Sequence, residues 1–84
     1  MLNQNQNEQT PVVTKKTLIV PALKYKVGDK WVLELKSKGS QQIMHYFDGE
    51  LVKATDVNAD FNKNAMRDYA IKFGEKKNMV VVPA

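Results

Sequence analysis

Apolar and polar positions alternate along the first half of this chain and then switch to a repeat of about four. Leu23, Tyr25 and Val27 alternate with Lys24 and Lys26, the period-two pattern of a half-buried strand. Gly28-Asp29 follows, and a glycine at the first central position predicts a two-residue hairpin turn. From Lys30 to Ser37 the pattern resumes, with Trp31, Leu33 and Leu35 on one side. Lys30, Glu34 and Lys36 take the other side, and Val32 is the exception. Lys38-Gly39-Ser40 reads as the next turn, and residues 41–47 read as a strand that is apolar on both sides. Asp48-Gly49 is a strong signal for a type I′ turn, whose two central residues both need positive φ. Residues 50–55 complete a meander. Upstream, Thr17-Leu18-Ile19-Val20 is short, branched and limited by Pro21, which suits an edge or bent strand.

After Thr55 the period changes. Phe61, Ala65, Tyr69 and Phe73 recur every four residues, and Met66 and Ala70 widen the stripe. Lys63, Asn64, Arg67 and Asp68 lie opposite, so this stretch predicts an amphipathic helix. Asp56, Asn58 and Asp60 offer caps for its start, and Gly74 is placed as its stop. Asn62 intrudes on the stripe. The continuous run Met79-Val80-Val81-Val82, ended by Pro83, reads as a strand buried on both faces, hence a central one. The order predicts an α+β domain: a mainly antiparallel meander of four to six strands, one covering helix and a final C-terminal strand. The strand count depends on whether 17–20 and 23–27 are one bent strand or two.

Turn lengths decide which residues share a face, because a one-residue slip moves a whole strand's side chains to the other side. With two-residue turns throughout, Trp31 and Leu33 join Lys24, Lys26, Met44, Tyr46, Leu51 and Lys53. If Ser40 belongs to its turn, Trp31 and Leu33 instead join Ile43, His45 and Phe47. In either register both faces carry large apolar residues. One helix can cloak only one of them, so the second is expected to meet the N-terminal segment, another copy or a ligand.

Length and composition narrow the picture. Eighty-four residues make one domain with a small core. Residues 1–14 open with an Asn/Gln-rich run that has little to bury and is expected to be a disordered tail, leaving 15–84 as the single domain. No cysteine is present, so disulfides are excluded. His45 is the only histidine, so neither a metal site nor any other cofactor is expected. The opening residues have no basic region followed by an apolar stretch, and no run is long enough to cross a bilayer. The expectation is a cytoplasmic protein without a membrane partner.

Charge adds one local feature. Between Lys15 and Lys38 seven lysines face two acids, whereas residues 39–84 balance six bases against six acids. A local excess of one sign attracts a polyanion. Catalytic signatures are missing: there is no nucleophile elbow, no phosphate-cradling glycine loop and no metalloprotease motif. Ser37 and Ser40 have no base to serve them, and the spacing of Asp56 and Asp60 suits capping better than acid–base work. The chain is therefore expected to be non-enzymatic.

Two binding functions fit. The first is contact with single-stranded DNA or RNA through a basic, aromatic sheet surface, with Trp31, Tyr46 and Tyr25 as stacking platforms and Lys24, Lys26, Lys30 and Lys36 as phosphate contacts. Lys53 joins them in one register. The second is a protein-docking accessory, assembly or inhibitor protein, of a kind that viruses and mobile elements encode, acting through an apolar sheet face as a homodimer or on another protein. Against both stands a plain structural reading, in which Trp31 is core and the lysines are a solvated edge.

Overall fold

The computed structural model describes residues 19–36 and 38–84. The expected N-terminal tail and residues 17 and 18 of the expected first strand lie outside the described residues, and Ile19 and Val20 belong to no strand. The described residues form five strands and one helix: β1 (Lys24–Val27), β2 (Trp31–Lys36), β3 (Gln42–Phe47), β4 (Glu50–Asp56), α1 (Lys63–Lys77) and β5 (Val81–Pro83). They form one antiparallel sheet in the order β4-β3-β2-β1-β5. This is the α+β meander with a final strand that the periodicity predicts.

Turn chemistry explains the register. Asp48 (φ 53°) and Gly49 (φ 86°) both take positive φ, and Phe47 pairs with Glu50 across them, as a type I′ turn requires. The first hairpin departs from expectation. Val27 pairs with Trp31, so Gly28, Asp29 and Lys30 all lie in the turn. Neighbours claim that turn's backbone: the Gly28 N–H donates to Val80 O (2.8 Å), and Lys30 O accepts from the Asp48 N–H (2.8 Å). In the second hairpin Lys36 pairs with Gln42, so Ser40 belongs to the turn. Both changes move Trp31 and Leu33 onto the face of Tyr25, Val27, Ile43 and His45. A bulge opposite the His45–Tyr46 step pairs Tyr46 with Leu51 and His45 with Lys53, leaving Val52 out of the ladder.

α1 starts later than the acidic run suggests. Asn62, read from sequence as an intruder, is the N-cap: its side-chain oxygen accepts from the Ala65 N–H at 2.9 Å. Gly74 is not the stop. It lies buried inside α1, and the helix ends at Asn78 in the left-handed conformation. Gly74 instead permits close approach, since a Cβ there would overlap the Val81 side chain and crowd the Met79 carbonyl. β5 is likewise corrected. Among the described residues it is an edge strand of three residues paired only with β1, and Val82 and Pro83 are exposed. Proline is tolerated at such an edge, where its missing N–H forfeits no ladder bond.

The core lies between α1 and one sheet face. Tyr25, Val27, Leu33, Leu35 and Ile43 from the sheet meet Met66 and Ala70 from the helix, with Phe61, Tyr69, Phe73 and Val81 packed around them. Burying each large side chain contributes about 1.5–3 kcal/mol. No helix of the described residues is long and apolar enough to cross a membrane.

Candidate functional site

The sheet has two unlike faces. The face that α1 does not cover is built from rows that run across the strands. One row runs Leu51, Tyr46, Val32, Lys26, Val82, from β4 to β5. The next runs Ala54, Met44, Glu34, Lys24, and a third runs Asp56, Gln42, Lys36. Lys24 and Lys26 are one pleat repeat apart, about 6.7 Å, and both are exposed. Tyr46 is half-buried between the apolar Leu51 and Val32 of its row. Glu34 lies directly across from Lys24, and Asp56 accepts from the Gln42 amide at 2.9 Å. Three lysines thus face two carboxylates here, and the excess concentrates at β1 and at Lys36.

This face collects Lys24, Lys26, Lys36 and Tyr46 of the residues expected from sequence. Lys30 sits in the first turn at the end of the sheet. Tyr25 and Trp31 are placed elsewhere. Tyr25 is fully buried; its hydroxyl donates to Val20 O and accepts from the Ala22 N–H, each at 2.8 Å. Burial raises its pKa above the usual phenol value. With no ring face open to solvent, it offers no stacking platform. Trp31 is half-buried on the helix side, 4.9 Å from the Phe47 ring centroid and 5.1 Å from that of Phe73.

The helix side holds a second constellation. α1 lies chiefly over β1 and β5, so an opening of about 450 Å³ remains toward β3 and β4. Trp31, His45, Tyr69 and Phe73 line it. Lys53, Lys76 and Lys77 line it as well. The Lys77 ammonium sits 4.7 Å from the Trp31 ring centroid and 5.1 Å from that of Phe73, a cation over π-faces. His45 is buried, and desolvation holds its pKa below the ordinary imidazole value. Its Nδ1 lies 3.4 Å from the Lys53 carbonyl and its Nε2 lies 2.7 Å from the Tyr69 hydroxyl. A carbonyl only accepts, so Nδ1 carries the proton and Nε2 accepts from Tyr69. The neutral ring satisfies both partners at once.

Sequence reasoning missed this group. Phe73 and Lys77 are one helical turn apart, which was a usable signal. The missing information was the parity of Trp31, which the turn lengths hid. Comparison with protein-family models, curated proteins and solved structures finds no match to this chain.

Proposed function

We propose that the protein is a small non-enzymatic binding module whose uncovered sheet face contacts single-stranded DNA or RNA. One observation carries the reading: Tyr46 and Lys26 share a row on a face that α1 does not cover, flanked by Lys24 and Lys36. Bases stack on an exposed aromatic ring irrespective of sequence, while ammonium groups follow the phosphates. Lysine rather than arginine dominates the surface, which suits diffuse phosphate contact more than reading of base edges. The test is titration of fluorescent oligonucleotides at low and moderate salt. Affinity is expected to fall steeply with salt. Lys24→Glu with Lys26→Glu should abolish binding at moderate salt, and Tyr46→Ala should cost about 1–3 kcal/mol. Absence of binding at low salt, or binding indifferent to the double charge reversal, overturns the reading.

A second reading has its own observation. Leu51 and Val82 end the Tyr46 row with 51% and 45% of their surfaces exposed. Apolar side chains at both ends of an uncovered face suit protein docking, including docking of a second copy. Mass measurement in solution, and partner capture after nuclease treatment, separate this reading from the first.

A further inference from the structure

The pocket between α1 and the β3–β4 end of the sheet lies on the opposite side from Tyr46. Its volume of about 450 Å³ falls among small-molecule sites, which span roughly 300–1,000 Å³. Its walls are flat rings: Trp31 and Phe73 meet edge to face, and His45 and Tyr69 close the far side with centroids 5.7 Å apart. Its polar lining carries one sign. Lys53, Lys76 and Lys77 are among its lining residues, the Lys77 ammonium lies over its rings, and among the described residues no carboxylate lines the opening. The neutral His45 adds no charge, and the Tyr69 oxygen keeps acceptor capacity beyond the proton it gives to His45.

Ring walls and cationic lining together select a ligand that is planar and anionic. An apolar ligand leaves the lining lysines unanswered, and a bare anion leaves the rings uncovered. We propose that this pocket binds a nucleotide, with its base against Trp31 and Phe73 and its phosphate held by Lys77, Lys76 and Lys53. Lys77 is the movable part. Its ammonium now lies over Trp31 at a cost of little solvation, because the side chain is exposed. A phosphate in the pocket offers that ammonium a charge-assisted hydrogen bond in place of its exposed contact with the ring. The ring face it vacates is the surface a base stacks upon. A free nucleotide and the 5′-phosphorylated end of a strand present the same chemistry. The site goes beyond the sheet-face reading and does not depend on it.

Trp31 is the only tryptophan, so its emission reports directly on the pocket. Titration with AMP is expected to change that emission saturably and to shift the indole N–H resonance in NMR spectra. Adenosine, and inorganic phosphate alone, should each bind at least about tenfold more weakly, the loss of one ionic or stacking contact. Lys53→Ala with Lys77→Ala, both at the surface, should weaken AMP by about tenfold or more. Lys24→Glu with Lys26→Glu should leave AMP binding unchanged while removing binding of an oligonucleotide that lacks a 5′-phosphate, so failure of either site is seen separately. A 5′-phosphorylated trinucleotide that binds more tightly than AMP assigns the strand end, and weaker binding assigns the free nucleotide. The proposal is overturned by the absence of a saturable AMP response in both emission and NMR, by AMP affinity that survives the double alanine variant, or by an oligoglutamate peptide that binds as tightly as AMP.

Discussion

Tyr25 and His45 show how single side chains set the terms for what surrounds them. The Tyr25 hydroxyl ties the segment before β1 to the core through Val20 O and the Ala22 N–H. Tyr25→Phe keeps the ring and removes both bonds, so it should lower stability by about 1–3 kcal/mol without changing the fold. Chemical denaturation with an unchanged m value is the check. His45 links stability to pH. Its folded pKa lies below the ordinary value of 6.5 because burial disfavours the imidazolium. The unfolded chain therefore takes up this proton first as pH falls through about 6.5. Its contribution is complete above that pH and is lost progressively below it. The melting temperature should drop between pH 7.5 and 5, and the drop should be shallower in His45→Gln. A melting temperature that rises on acidification contradicts a neutral, desolvated imidazole.

Gly74 matters through the elements it allows to meet. It lets α1 lie close to the chain entering β5, where the Met79 N–H donates to Gly74 O at 2.9 Å. Alanine gains about 1 kcal/mol of helix propensity, but its Cβ overlaps the Val81 side chain and crowds the Met79 carbonyl. Overpacking against backbone costs about 1–3 kcal/mol, so Gly74→Ala should destabilise on balance and lower hydrogen-exchange protection in β5. Val81→Ala in the same chain should recover part of the loss. The same contact shows why some elements were legible in the sequence and others were not. Asp48-Gly49 declared its turn because both residues must hold positive φ, a local constraint. The amphipathic stripe of α1 was legible for the same reason of local periodicity. Gly28 was not, because Val80 takes its N–H from a distant part of the chain and the turn opens by one residue. That single residue carried Trp31 away from Lys24 and Lys26. Of the expected site, alternation placed Lys24 beside Lys26, but Tyr46 and Lys36 share their face only because of the observed lengths of both turns, and the Trp31–Lys77 pocket likewise required tertiary structure to be seen.

Across the whole molecule, the sheet acts as a partition. One side carries Tyr46 with the β1 lysines, and the other holds Trp31 under α1 with Lys53, Lys76 and Lys77. Substituting one surface should leave the other intact, since no side chain belongs to both and additivity holds for separated sites. The edges carry a further consequence. β5 is short and reaches Pro83, and β4 carries a bulge at Val52, where its ladder shifts register. Neither rim is a straight template for another strand, so cross-β growth into fibres is discouraged at both ends. Where two copies of this protein meet, they should stack flat against flat rather than extend a continuous ribbon.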